Sequence, residues 1–197
     1  MIRIGTILLA AGRGTRFGAQ PKMLADFGGR PLVRLAAEAA LAARPRPVVA
    51  VLGAHADAVE AALTGLDLTC VRNEAYSEGL SSSLKAGLAA LPVCDAAIVM
   101  LGDMPLVGAA LIDRLADAFE NGGSTAAAVV PVHEGTRGNP VLLNLRVLAD
   151  GLSALRGDRG AGPLLTGRAD IIEIEAEPGI TLDVDTPDAL AAARNFA

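Results

Sequence analysis

Tryptophan is absent from the 197 residues, tyrosine occurs once and phenylalanine four times. Aromatics make up 3% of a chain that is 52% apolar, so the core has to be built from Ala, Val, Leu and Ile. Such cores suit α/β folds, in which Ala-rich helices pack closely on Val- and Ile-rich strands. Cysteine is equally scarce. Cys70 and Cys94 stand far apart and show neither the paired spacing of a metal site nor a disulfide framework. They read as reduced thiols of a cytoplasmic protein. There is no basic excess, since 17 Lys and Arg against 22 Asp and Glu leave a net charge of −5. That disfavours a nonspecific nucleic-acid binder but not a phosphate ligand, for which a few local cations suffice. No run approaches the ~18 unbroken apolar residues of a membrane-spanning helix. The opening, Met1-Ile2-Arg3-Ile4 through Ala11, has the cation-then-apolar form of a short signal peptide. Its apolar run is brief, however, and leads into Gly12-Arg13-Gly14-Thr15-Arg16 instead of a cleavage region, so it reads as a buried first strand.

What is present is a regular alternation of short apolar runs and helical stretches. Strands are predicted over 6–11, 48–52, 68–71, 96–101 and 125–130, the last capped by Pro131, with later ones over 141–143, 171–174 and 181–184. Helices are predicted over 31–43, 56–63, 81–91, 109–120, 146–155 and 187–194. The helix at 109–120 should stop at Asn121-Gly122-Gly123. The run Ala96-Ala97-Ile98-Val99-Met100-Leu101 is the clearest strand. The strands of the first half are continuously apolar and do not alternate, which means a parallel sheet covered by helices on both faces. With no linker, repeat or low-complexity block, residues 1–197 read as one domain. In such sheets ligands bind beyond the carboxyl ends of the strands, where the first strand runs into Gly12 and the 96–101 strand into Asp103.

Four motifs carry chemistry. The first is Leu9-Ala10-Ala11-Gly12-Arg13-Gly14-Thr15-Arg16-Phe17-Gly18, followed by Pro21-Lys22. Glycines let backbone N–H groups approach phosphate oxygens, and Arg13, Arg16 and Lys22 add point charges, the combination a triphosphate needs. It is neither of two familiar loops. A dinucleotide fingerprint begun at Gly12 would need glycine where Phe17 stands, and a P-loop would need Gly-Lys-Ser/Thr where Gly18-Ala19-Gln20 follows. The second is Gly102-Asp103-Met104-Pro105, whose carboxylate either holds a hard cation such as Mg²⁺ or caps the next helix. The third is Asp183-Val184-Asp185-Thr186-Pro187. One of its carboxylates could complete a cation site with Asp103, or Asp185 or Thr186 could simply start a helix. The fourth joins Asn73 to Gly79-Leu80-Ser81-Ser82-Ser83-Leu84, a helix start whose amides and hydroxyls either read a base or ribose or only cap. Arg137-Gly138-Asn139-Pro140 and Gly157-Asp158-Arg159-Gly160-Ala161 either line an acceptor pocket or are ordinary turns. His55 and His133 are isolated and receive no role.

In order and spacing, these residues resemble the MobA-like nucleotidyltransferases over nearly the whole chain. Gly79-Leu-Ser-Ser-Ser-Leu, Arg137-Gly-Asn-Pro-Val and Gly157-Asp-Arg-Gly-Ala are similar to the molybdenum cofactor cytidylyltransferase branch. The resemblance implies a Rossmann-like nucleotidyltransferase fold with a mostly parallel, mixed central sheet and helices on both faces. It implies transfer of CMP from CTP to molybdopterin-bound molybdenum with Mg²⁺, and release of pyrophosphate. It places Leu9, Ala10, Ala11, Gly12, Arg13 and Gly14 around the nucleotide, with Gly79 and Ser83 on the base side. Lys22 would neutralise the phosphates, and Asp103 and Asp185 would hold the metal. Arg137, Asn139 and Asp158 would face the acceptor. Ala11 points to CTP, because the guanylyl-transferring branch has Gly there. Phe17 and Gly14 depart from the Met and Ser frequent at those places, and neither change removes a charged group.

The mechanism expected is direct displacement. The acceptor phosphate attacks the α-phosphorus and no protein nucleophile is used, so Arg16, Lys22 and Asp103 are the catalytic candidates. The expected partners are CTP, a molybdopterin-type acceptor and a molybdoenzyme or its chaperone, without nucleic acid or membrane. Competing readings are a transferase using GTP or UTP, a nicotinamide-dependent oxidoreductase and a noncatalytic nucleotide-binding module. Phe17 argues against the oxidoreductase, and the joint presence of Lys22, Asp103 and Asp185 argues against the noncatalytic module.

Overall fold

The computed structural model describes residues 2–18, 20–122 and 124–196. The chain begins with β1 (Ile4–Ala10), followed by a two-residue hairpin of β2 (Asp26–Phe27) and β3 (Arg30–Pro31), then α1 (Leu32–Ala42). Next come β4 (Val48–Leu52), α2 (Ala56–Ala62), β5 (Thr69–Arg72), α3 (Leu80–Ala90), β6 (Ala96–Leu101) and α4 (Ala109–Asn121). The second half adds β7 (Ala128–His133), β8 (Thr136–Arg137), β9 (Val141–Asn144), α5 (Ala149–Ala154), α6 (Gly162–Leu165), β10 (Ile171–Glu175) and α7 (Pro187–Ala193). Gly123, the last residue expected to stop the fourth helix, lies outside the described residues.

One sheet runs through the molecule in the order β10-β7-β9-β6-β1-β4-β5, with β8 on β7. Strands β5, β4, β1 and β6 are parallel neighbours, and β9 enters antiparallel between β6 and β7. The sheet is therefore mixed and mostly parallel. Every residue of β1 and β4 is buried. Ile4, Leu8 and Ala10 pack on one face with Val33 and Ala37 of α1 and Leu115 and Phe119 of α4. Ile7, Leu9 and Ala11 pack on the other with Leu84 of α3, Leu152 of α5 and Leu165 of α6. This is the doubly covered sheet that unbroken apolar strands demand. Because β4 and β5 lie on one side of β1 and β6 on the other, the winding reverses between β1 and β6, which opens a crevice at their carboxyl ends.

Several expected elements differ. Pro131 does not cap a strand but lies inside β7. There β9 pairs only with Ala128 and Val129, and β8 only with Val132 and His133. The residue without an N–H thus falls in the gap between two ladders. The stretch 146–155 is helical only from Ala149 to Ala154. The strand expected over 181–184 is not formed. Pro178–Thr181 is a 3₁₀ turn, and the hydrogen bonds of this stretch go to loops: Asn139 N–H donates to Ile180 O at 2.9 Å and Val184 N–H to Asp103 O at 3.0 Å.

The last helix starts on a side-chain cap. Thr186 Oγ1 accepts the Ala189 N–H at 3.1 Å, and Pro187 fills the first helical position. Thr186→Ala is expected to cost about 1 kcal/mol in denaturant unfolding. A loss below about 0.3 kcal/mol would show that the cap does not secure α7.

Candidate active site

The crevice between β1 and β6 holds a cavity of about 520 Å³. Leu9 of β1 stands opposite Leu101 of β6 in the ladder, so the loops that follow both strands rise side by side. Alternation along β1 sends Leu9 and Ala11 toward the cavity, while Ala10 points to the α1 face and is fully buried there. Beyond Ala11 the chain turns through Gly12, Arg13 and Gly14, all lining the cavity. Gly14 takes the left-handed conformation at φ 59°, and a Cβ there would stand 2.6 Å from Lys22 Cβ. Only glycine lets the loop lie this close over Lys22. Phe17 ends the loop as an anchor, buried in a small cluster with Phe27, Leu32 and Val184. Burial of Phe17 and Val184 in one cluster brings Asp185, far away in sequence, against the first loop.

At the cavity floor Lys22 Nζ donates to Asp103 Oδ2 and, at 2.7 Å, to Asp185 Oδ1. Arg16, exposed and not among the residues that line the cavity, pairs with the other oxygen of Asp185. The side chains of Lys22 and Asp103 are each 9% exposed, so this pair is largely shielded from water. Burial by itself would drive the Lys22 ammonium down. The Asp103 carboxylate, and then Asp185, outweigh it and hold Lys22 above the usual lysine value. Burial pushes the Asp103 carboxyl up, and attraction to Lys22 offsets this only in part. The hydrogen bond from Lys22 holds Asp185 below the usual carboxylate range, against burial and with help from Arg16. Asp103 Oδ1 is buried without a hydrogen-bond partner.

Gly79 and Ser83 line the opposite wall, at the start of α3. Asn73 is occupied with structure. Its amide donates to Ser82 Oγ at 2.9 Å and Ser83 Oγ at 3.0 Å and so ties the end of β5 to α3. No side chain caps α3. Asp158 lines this same cavity, apart from the two residues grouped with it in the sequence. Arg137 and Asn139 line an adjoining cavity of about 490 Å³, walled largely by aliphatic side chains, that shares Leu9, Leu80 and Leu101 with the first. Arg137 is engaged there by Glu173 at 2.7 Å.

Residues 6–172 match the family described as the MobA-like NTP transferase domain. The chain belongs to that family. It is a nucleotidyltransferase, with a nucleotide as substrate. A curated relative, nicotine blue oxidoreductase of Paenarthrobacter nicotinovorans, is 34% identical over 186 residues, covering 91% of both chains. The bifunctional protein GlmU of Kineococcus radiotolerans is 37% identical over 149 residues, 74% of this chain but 29% of that protein. The chain thus spans under a third of that GlmU. The crystal structure of Rv0371c from Mycobacterium tuberculosis H37Rv matches with a TM-score of 0.85 at 28% identity, covering 98% of each chain. Its complex with manganese matches with a TM-score of 0.80 at 29% identity, covering 99% of this chain and 100% of that one.

MobA-like transferases typically use a divalent cation, and the residues here fit one. Asp103 and Asp185 turn an oxygen each toward the same point, and Asp103 keeps a buried oxygen unpartnered. Among the described residues no third His, Cys, Asp or Glu joins them. That suits a small hard cation that takes its other ligands from phosphate oxygens and water. Asp185, not Asp183, is the member of the third motif paired with Lys22 and Arg16.

Tyr76 escaped the sequence reading. It follows β5 in a 3₁₀ turn, lines the cavity and carries Arg13 over its ring at 5.5 Å from the centroid. That distance is within the range of a cation–π contact. Its one signal in the sequence is that it is the chain's single tyrosine. Among the described residues no helix is long and apolar enough to cross a membrane.

Proposed function

We propose that this transferase moves CMP from CTP to the phosphate of molybdenum-loaded molybdopterin, forming the cytosine dinucleotide cofactor and pyrophosphate. The observation that carries the transfer chemistry is the convergence of Lys22, Asp103 and Asp185 beneath the Gly12–Gly14 loop at the sheet's reversal point. The choice of CTP rests on Ala11 at the cavity wall, and the choice of acceptor on the family resemblance of the 137–140 and 157–161 loops. Residues 1–197 act as one domain in the cytoplasm, and a molybdoenzyme or its chaperone receives the product.

In this reading the loop amides of Gly12 to Gly14 cradle phosphate oxygens, with Arg13 and Lys22 supplying positive charge. Arg16, on the exposed side of Asp185, faces the departing pyrophosphate. Gly79 and Ser83 border the base, with Tyr76 at the mouth. Asp103 and Asp185 would hold Mg²⁺, which when bound neutralises charge on the phosphates. Arg137 and Asn139, in the adjoining cavity, contact the acceptor body, while Asp158 stands between the two ligands. A phosphate monoester is already ionised at neutral pH, so the attacking oxygen needs orientation more than a base.

The test is magnesium-dependent pyrophosphate release with molybdenum-loaded molybdopterin, run separately with CTP, GTP, ATP and UTP. Nucleotide binding is read in parallel from the emission of Tyr76, in a chain without tryptophan. Release with CTP alone is expected. Release with GTP would retain the chemistry and reject the role of Ala11. Binding without release from any nucleotide would reject the acceptor or the catalysis. The name of the Paenarthrobacter relative favours a second reading, a redox reaction on the same nucleotide-binding frame. Oxidation of NADH or NADPH in the presence of an electron acceptor, without pyrophosphate release, would decide for it.

A further inference from the structure

The ammonium of Lys22 stands where a cation belongs. It is bonded to one oxygen of Asp103 and one of Asp185, the two carboxylates that the reading above assigns to the metal. Lys22 and Asp103 are buried and Asp185 is partly so, and Arg16 takes the other oxygen of Asp185 from the exposed side. An ammonium and a divalent cation compete for this seat. Lys22 already occupies Asp103 Oδ2 and Asp185 Oδ1 and leaves only Asp103 Oδ1 unpartnered, and the two positive charges repel. A lysine has a flexible four-carbon stem, so the head can leave while the backbone stays pinned beneath Gly14. The cavity that Lys22 lines is also lined by Gly12, Arg13 and Gly14, the loop assigned to the phosphates, so a bound triphosphate would offer the ammonium a new partner there.

We propose that Lys22 is a built-in substitute for the divalent cation, surrendering its seat between Asp103 and Asp185 only when a nucleoside triphosphate draws its ammonium onto the phosphates. Metal and nucleotide therefore enter together, and free metal is held off the empty enzyme. The exchange keeps the buried Asp103 carboxylate and its neighbour Asp185 neutralised in both states. Linkage makes the effect reciprocal: the factor by which nucleotide tightens metal binding is the factor by which metal tightens nucleotide binding. The inference rests on the metal role of Asp103 and Asp185 but on neither the acceptor nor the choice of CTP.

Two measurements on the full chain test it. The first titrates Mn²⁺ alone, without nucleotide, and follows free Mn²⁺ by its electron paramagnetic resonance. Lys22→Gln is expected to bind at least tenfold more tightly than wild type, and Lys22→Gln with Asp103→Asn is expected to lose that gain. A Lys22→Gln protein that melts cooperatively yet binds Mn²⁺ no better than wild type would overturn the proposal. The second needs no variant. Lys22 and Lys85 are the only lysines, so lysine labelled with ¹³C and ¹⁵N gives two side-chain signals, and Lys85, bonded to the Leu155 carbonyl, is the internal control. Millimolar Mg²⁺ alone should leave the Lys22 signal in place. Mg²⁺ with the α,β-methylene analogue of CTP or GTP should shift it. A full shift with Mg²⁺ alone, or none with either analogue bound, would overturn the exchange. Neither readout involves turnover, so an enzyme that shows the exchange but releases no pyrophosphate would sink the proposed function and spare this inference.

Discussion

Asp103→Asn is expected to lower turnover by about 10²–10³-fold, the usual effect of removing one preorganised charge partner from a reaction centre. Asparagine keeps the shape of the side chain and an oxygen that still accepts from Lys22, so the end of β6 should hold its conformation. What is lost is the charge on a buried group that faces both Lys22 and the cation seat. Lys22 would then answer to Asp185 alone, and the metal to one carboxylate in place of two. Lys22→Ala should cut turnover as deeply, but it is the harder variant to interpret. It strands the Asp103 carboxylate in a site 9% exposed, and breaking a buried pair costs about 3–5 kcal/mol of stability. Steady-state kinetics with the nucleotide that the pyrophosphate assay identifies, alongside circular dichroism and thermal melts, separates the two effects. A folded Asp103→Asn protein with near-normal turnover would remove Asp103 from the chemistry.

Much of this arrangement is written locally. The strand at Ala96–Leu101 is legible because six apolar residues end in Gly-Asp, and five helices are legible within about one residue at each end from their start and stop signals. Strand order is not local. Nothing in Val141–Asn144 says that this short run enters antiparallel between β6 and β7, because that choice is made by packing against both neighbours. The stretch at 181–184 has strand-like residues, but its N–H groups find loop carbonyls first. At the site, residue types announce themselves and orientations do not. In a strand buried on both faces, an unbroken apolar run hides which residues alternate toward the ligand. Ala10 therefore reads as a cavity residue when Leu9 and Ala11 are the ones that face it. Likewise Arg13, Arg16 and Lys22 read as three loop cations. Their partners, Tyr76 for the first and aspartates 81 and 163 or more residues away for the others, are set by the fold.

The wall facing the cation seat depends on one backbone approach, and Gly79→Ala is expected to break it. Gly79 sits at φ 110°, a region that a side chain adopts only with strain of about 1–3 kcal/mol. A Cβ there would stand 2.4 Å from Gly157 C, 2.5 Å from Gly157 O and 2.6 Å from Asp158 N, which are backbone atoms that no rotamer change can move aside. Overpacking of this kind costs about another 1–3 kcal/mol. The contact is also structural, because Gly157 O accepts the Ser81 N–H at 3.1 Å and so ties the loop to the first turn of α3. Pushing the loop away would lift Asp158 from the cavity and leave that turn of α3 open beside Ser83. The loss should therefore be about 2–6 kcal/mol, a large part of the roughly 5–15 kcal/mol that holds a domain together, together with weakened nucleotide binding. Gly157→Ala is the matched control. Gly157 also has a left-handed φ, 67°, but a Cβ there meets nothing within 4 Å, so strain acts without the clash. Denaturant unfolding should show Gly79→Ala losing at least twice as much stability as Gly157→Ala, with Tyr76 emission reporting loss of nucleotide binding in the first and retention in the second. Equal losses would mean that left-handed strain alone sets the need for glycine at position 79 and that the loop does not press on α3.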